Sequence, residues 1–368
     1  MNVVFRTDAS LKIGAGHLMR CLTLADELRA EGARCHFICR NLQGNLIEQT
    51  RQRGFTVSVL SIADELAGAS ECFVGRQSIY AAWLGVDWDT DATQTISSIG
   101  GAVVDWLVVD HYALDFRWEQ NLRPMCRRLM VIDDLADRPH DCDVLLDQNL
   151  GRNVGDYCGL TPGTCTVLAG SKYALLRPQF AELRDQSLMR RERPELKHLL
   201  VCMGGVDQVN ATGAVLEALV DCNLPRSLRI SVVMGLHAPW LEHVRSFAKN
   251  IPQPIEVMVN INNMAQLMAE SDLAISAAGG GAWERCCLGL PSIIVTLAEN
   301  QRYSASALME SGSAKIVGCV DDIKINMRSM IDIFQTTDAL SQLSRNSRLV
   351  TDGRGVSHVK DALYVRSR

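Results

Sequence analysis

No excess of positive charge marks this chain of 368 residues: 37 lysines and arginines stand against 42 acidic residues, a formal charge of −5. A mildly acidic chain has no general reason to seek nucleic acid or an anionic membrane, so neither is expected as a partner. A phosphorylated ligand would have to be drawn by local geometry. No Cys-x-x-Cys pair occurs among the thirteen cysteines, and an odd number cannot all pair within the chain. Most lie in apolar runs such as Leu199-Leu200-Val201-Cys202-Met203, where free cysteine behaves as a small buried hydrophobe. The expectation is a reducing cytoplasm, with neither a disulfide scaffold nor a structural zinc site. No apolar run is long enough to span a bilayer; the longest weakly polar one, residues 288–298, contains a proline. The first ten residues carry Arg6 and Asp8 where a secretory signal would need an apolar core. Short repeats and low-complexity tracts are missing too. What is present is an ordinary globular composition, 47% hydrophobic and 21% charged, at a length that predicts two domains.

The chain is built on short apolar runs followed by amphipathic stretches of helical length. Residues 2–6, 34–39, 56–60, 106–110 and 129–133 read as strands, rich in Val, Ile and Leu without alternation, the pattern of parallel strands covered on both faces. Helical periodicity lies between them at 18–31 and 116–123. The rhythm restarts with strands at 199–203, 230–234, 255–259, 273–276, 292–297 and 315–318, alternating with helices at 211–220, 239–249, 264–270, 282–288 and 303–310. Alternation of this kind predicts an α/β protein of two Rossmann-like domains facing each other across a cleft. The expected boundaries are residues 1–177 and 195–368, with the charged segment 178–194 as connector. Residues 61–101 are the least legible stretch. In such sheets ligands bind beyond the carboxyl ends of the strands, so function is expected in the loops that follow them.

Five loops carry chemistry. The first, Thr7 to His17, holds Ser10, Gly14 and Gly16 and delivers His17 into the first turn of a helix. The positive end of that helix disfavours imidazolium, as a general base requires; Asp8 would oppose this or orient the ring. His17 reads equally as a helix cap or a positioning donor. The second loop, Asp110-His111-Tyr112, leaves a buried strand, and the Tyr112 hydroxyl could bond a sugar, position a water or merely satisfy a turn. Asp133 and Asp134 end the next strand, pointing to opposite sides of an extended chain. The third loop holds Gly204 and Gly205, whose turn exposes backbone N–H groups to an anion. The fourth, Gly279-Gly280-Gly281 running into a helix, makes a phosphate-sized nest, with Glu284 one turn on and able to accept from both hydroxyls of a ribose. The fifth, Glu299-Asn300-Gln301, offers donors and acceptors to a hexose. Asp87-Trp88-Asp89 reads as a helix cap. Trp83, Met130 and Met203 read as core.

The runs FRTDASLKIGAGHLMRC, VVDHY, VCMGG and SAAGGGAWERCCLGLPSIIVTLAENQ, with the closing DGRGVSHV, together resemble the hydrolases of pseudaminic acid biosynthesis. These enzymes act on UDP-2,4-diacetamido-2,4,6-trideoxy-β-L-altropyranose. More distantly the chain is similar to MurG and its GT-B relatives. The resemblance implies metal-independent, cofactor-free cleavage of the anomeric C–O bond with inversion, releasing UDP and free sugar. It also implies that His17 is the catalytic histidine, Tyr112 a substrate-site tyrosine, Glu284 the ribose-binding glutamate, Asn300 a sugar contact and Ser10 the serine of the first loop. A small-molecule UDP-sugar is then the partner, and the size is compatible with a monomer. Three rivals are a glycosyltransferase using the same donor, a non-catalytic nucleotide-sugar binding protein and a hydrolysing epimerase.

Overall fold

The computed structural model describes residues 1–62 and 80–367. Residues 63–79, in the stretch that the sequence leaves illegible, lie outside the described residues. Two compact units are present, Met1–Leu175 with Val356–Arg368, and Leu176–Gly355.

The first unit contains strands β1 (Asn2–Thr7), β2 (Arg34–Arg40), β3 (Thr56–Leu60), β4 (Val104–Asp110), β5 (Cys126–Ile132), β6 (Val144–Asp147) and β7 (Thr166–Ala169). All pair in parallel, in the order β3-β2-β1-β4-β5-β6-β7. Helices α1 (Gly16–Ala30), α2 (Ile47–Gln52), α3 (Trp88–Ile99) and α4 (Phe116–Leu122) connect them. Successive strand residues face opposite sides, so each strand feeds two cores. Val3, Phe5, Trp106 and Val108 meet Leu18, Cys21, Leu22 and Leu28 of α1, which recur at helical spacing. On the other face, Val4, Leu107, Val109 and Val131 pack with Ala92 of α3 and with Trp118 and Leu122 of α4. Asp87 caps α3 by accepting from the Thr90 amide at 2.8 Å, as its spacing predicts.

The second unit repeats the scheme with α5 (Pro178–Arg190), β8 (His198–Cys202), α6 (Ala211–Val220), β9 (Arg229–Met234), α7 (Leu241–Ala248), β10 (Ile255–Val259), α8 (Met264–Glu270), β11 (Leu273–Ala277), α9 (Gly281–Cys287), β12 (Ser292–Val295), α10 (Arg302–Glu310), β13 (Lys315–Gly318), α11 (Ile323–Ile333) and α12 (Thr337–Ser347). Its six strands are parallel in the order β10-β9-β8-β11-β12-β13. The last helix, α13 (Gly355–Ser367), buries Val356, Val359 and Leu363 in the core of the first unit.

Both expected boundaries of the second domain need correction. The segment 178–194 is no free connector: Pro178 opens α5, and Phe180 and Ser187 are buried. Two of its arginines are used internally, Arg184 on the carbonyls of Cys287, Thr351 and Arg348, and Arg191 on those of Gly289, Ala269, Met268 and Ser271. Guanidinium forks that take the open carbonyls of helix ends look, in sequence, like a solvated charge run. At the other end, the chain leaves the second unit at Gly355, not at residue 368.

Sheet order decides where function can sit. Strand order reverses between β1 and β4 in the first sheet and between β8 and β11 in the second. Loops beyond these strand pairs diverge and leave a crevice, the usual ligand site of open α/β sheets. Four of the five chemistry-bearing loops follow β1, β4, β8 and β11.

Candidate functional site

In the first unit the loop after β1 is held by its own serine. Ser10 Oγ accepts from the amides of Lys12 and Ile13 at 3.2 and 3.0 Å, and the Gly14 amide returns to the Ser10 carbonyl at 2.8 Å. Gly14 sits at φ +79°, a conformation that favours glycine. Gly16 begins α1, and His17 follows in its first turn. Thr7 pairs with Asp110 across β1 and β4, which brings the next turn of each strand together. His17 Nδ1 and Asp110 Oδ1 are consequently 2.5 Å apart.

The orienting carboxylate is therefore Asp110, and not Asp8 as the sequence allows. Asp8 accepts from the Arg40 amide at 2.6 Å, pairs with Arg6 at 2.8 Å and faces His111 Nε2 at 3.6 Å. The Ala113 amide donates to His111 Nδ1. That leaves the His111 proton on Nε2, and burial lowers the ring's pKa to about 4. His111 is a neutral brace.

Arg20, one helical turn after His17, locks the dyad. Its Nε and Nη2 donate to the two oxygens of Asp110 at 2.6 and 2.8 Å, and its Nη1 donates to Asp134 at 2.7 Å. Burial alone would raise the Asp110 carboxyl, but the Arg20 charge and His17 hold it well below the ordinary carboxylate range. Asp110 is thus ionised and accepts from Nδ1, which leaves Nε2 outside the network. Among the described residues, no hydrogen bond to His17 Nε2 occurs.

The other residues at this edge keep to the network. Tyr112 is buried, and its hydroxyl donates to Asp134 at 2.6 Å, so the tyrosine proton is committed. Its ring stands edge-on to His17, with centroids 4.5 Å apart, and packs on Tyr80 and Trp83. Trp83 is accordingly half-buried against Tyr112, whereas Met130 and Met203 are core as expected. Asp133 points away from Asp134, to Tyr157 and Arg138.

In the second unit, Gly204 after β8 adopts φ +95°. The first amides of α6 are not available to an anion. Asp207 accepts from Ala211 and Thr212, and Asn210 from Gly213. After β11, Gly279 and Gly280 border open space: a Cβ on either would meet nothing within 4 Å. Neither they nor Gly281 adopts a positive φ. Packing and backbone conformation therefore do not require this run of glycine. Glu284 is paired with Arg177 at 3.2 Å, and burial raises its pKa despite that partner. Gln301 closes its own loop by accepting from the Leu297 amide at 3.0 Å. Asn300, beside it, is half-buried.

Sequence reasoning missed Arg20 and the role of Asp134. The signal was available, since residues three apart on a helix share a face and His17 and Arg20 are so spaced. Among the described residues, no group of three or more His, Cys, Asp or Glu side chains could hold a metal ion, and no helix is long and apolar enough to cross a membrane.

Two Rossmann-like units, each with its conspicuous loops at the strand-order reversal, define a GT-B-type fold. MurG of Acinetobacter baumannii superposes with a TM-score of 0.66 over 99% of each chain at 15% identity. The structure of S. aureus MnaA with UDP gives 0.60 at 12% identity, over 100% of this chain and 97% of that one. Residues 198–324 match the glycosyltransferase family 28 C-terminal domain. Along 313 residues the chain is 28% identical to the UDP-2,4-diacetamido-2,4,6-trideoxy-beta-L-altropyranose hydrolase of Campylobacter jejuni. That alignment covers 85% of this chain and 97% of the relative, so the resemblance carried by the motifs extends along most of the sequence.

Proposed function

We propose that the protein is a hydrolase of a UDP-linked diacetamido-trideoxyhexose, acting in pseudaminic acid biosynthesis. The observation that carries this reading is the His17–Asp110 pair at the β1/β4 reversal, with Nε2 left over to accept a proton. A water oxygen attacks the anomeric carbon and gives its proton to His17 Nε2. The C–O bond to the diphosphate breaks with inversion, and UDP leaves with the electron pair. Tyr112 shapes the pocket around the imidazole, and Ser10, Gly14 and Gly16 form its loop. Charge developing on the diphosphate falls to the amides of Gly204, Gly205, Gly279, Gly280 and Gly281. Glu284 takes the ribose diol, and Asn300 and Gln301 take the sugar. No step uses a metal or cofactor.

The glycine run supports the nucleotide assignment. A residue that neither strain nor packing requires to be glycine is explained by close approach of a ligand to the backbone. Gly279→Ala is expected to keep the melting temperature of the parent while weakening UDP binding about tenfold or more, roughly 1.4 kcal/mol. Calorimetric titration with UDP beside a thermal melt checks this; unchanged affinity would remove Gly279 from the site.

The match of residues 198–324 to a glycosyltransferase domain favours one rival, transfer to an acceptor other than water. Incubation with the UDP-sugar and no acceptor separates them. The hydrolase reading expects free sugar and UDP to accumulate catalytically, and the transferase reading expects neither.

A further inference from the structure

The network behind His17 contains more charge than orientation of one ring requires. Two carboxylates, Asp110 and Asp134, face a single guanidinium, Arg20, and all three are buried or nearly so, with side chains 0%, 14% and 9% exposed. Arg20 uses its Nε and Nη2 on Asp110 and its Nη1 on both oxygens of Asp134, at 3.0 and 2.7 Å. The same Nη2 lies 3.4 Å from His17 Nδ1. Arg20 thus touches both carboxylates and lies beside the ring nitrogen that Asp110 holds.

We infer that Arg20 is a positioning residue that divides the charge of Asp110, so that the carboxylate orients His17 without trapping it as imidazolium. The inference rests on the hydrolase reading above for its kinetic consequence, but its structural part concerns His17 alone. An unshared buried carboxylate at hydrogen-bond distance favours the protonated ring, and a protonated ring cannot accept a proton from water. With Arg20 holding both Asp110 oxygens, the carboxylate keeps one directional bond to Nδ1 and loses much of its field. Once His17 has taken a proton, the cluster holds two positive and two negative charges, so the protonated intermediate is balanced without solvent.

Other groups around the ring are fixed or neutral, except that behind Asp134 burial and the Asp134 charge push the Asp147 carboxyl up to about 7, with Arg152 at 3.1 Å from it. From α1, Cys21 Sγ donates to Asp110 at 3.5 Å, and burial pushes that thiol well above its ordinary range. From the end of β4, His111 is neutral and braced by Asp8, and Tyr112 is held protonated by burial and by Asp134. Behind Asp134, Asn149 bridges to Asp147. Among the described residues, Arg20 is the one cation within hydrogen-bond distance of the ring.

The test follows the His17 ring directly by NMR in the full-length protein, its signal assigned among the eight histidines by its loss in His17→Asn. The acid limb of kcat/KM for the UDP-sugar is measured on the same variants. Arg20→Gln is expected to move both the ring titration and the acid limb upward by about one pH unit. Arg20→Lys, which returns the charge without the fork, brings them back toward the parent. Asp134→Asn removes one negative charge and moves both downward, and it decides the matter alone if Arg20→Gln does not fold. Should kcat fall while the ring titration stays at the parental position in these variants, Arg20 is only a structural brace and the inference is overturned. A parent protein that titrates as described but releases no free sugar would instead overturn the hydrolase reading and leave the placement of Arg20 intact.

Discussion

His17→Asn loses about 10²- to 10⁴-fold of kcat and keeps UDP affinity close to that of the parent. The asymmetry is the informative part. Proton removal from water occurs only as the transition state forms, so deleting the base costs turnover and spares ground-state binding. UDP has no attacking water to lose, and its assigned contacts lie in the second unit, on Gly279 to Gly281 and Glu284. Asparagine also keeps a donor toward Asp110, which limits the disturbance to the buried network. Steady-state kinetics and calorimetry on the same preparation decide the matter. Near-parental turnover would show that His17 is not the base, and a parallel collapse of UDP binding would show that the substitution had damaged the fold.

The largest stability effect is expected at Asp91→Ala. Asp91 is wholly buried in α3, where it receives Arg6 at 2.5 Å, Arg40 at 2.6 Å and the Trp118 indole at 3.0 Å. Arg6 and Arg40 are themselves fully buried, so the substitution leaves Arg6 with Asp8 and the Arg40 guanidinium with the Ser61 carbonyl and no carboxylate. Breaking a buried ion pair from one side costs about 3–5 kcal/mol, because the orphaned charges cannot regain water. The same cluster sets an acid dependence. Burial would raise the Asp91 carboxyl, but Arg6 and Arg40 outweigh it and hold it far below its ordinary value. A depressed folded-state pKa gives stability that is complete above the unfolded value, near 3.9, and is lost as pH falls below it. The parent should therefore lose stability between about pH 4 and pH 2 more steeply than Asp91→Ala does. Denaturant unfolding at pH 7 and pH 3 measures both quantities; a difference under about 1 kcal/mol at pH 7 would contradict the account.

The parts of this fold that were legible in sequence share one physical property. Strands β1, β4, β8 and β11 are buried on both faces, so each carries an unbroken apolar run, Val3-Val4-Phe5, Trp106-Leu107-Val108-Val109, Leu199-Leu200-Val201-Cys202 and Leu273-Ala274-Ile275, that reads as a strand. β6 and β7, four residues each, are too short to stand out from the turns around them. α3 was legible only at its Asp87 cap: its buried face includes Asp91 and Thr95, so the residues that hold it down look like residues meant for water. The arginines of α5 mislead in the same way, since a cation that caps carbonyls and one that faces solvent have the same letter. For the candidate site, the loops were legible and the pairing was not. Asp110 stands out at a strand end, yet its partner His17 lies 93 positions earlier, and only the β1/β4 register brings them together. Asp8, far closer in sequence, was the natural candidate and turned to Arg40 and Arg6 instead.

Water as the nucleophile at the anomeric carbon is the claim on which the functional account stands. Reaction with the UDP-sugar in ¹⁸O-labelled water, followed by mass spectrometry of both products, tests it most directly. The account predicts one labelled oxygen in the free sugar and none in UDP. Label in UDP would mean attack at phosphorus, and no cleavage at all would mean that the sugar is meant for another acceptor.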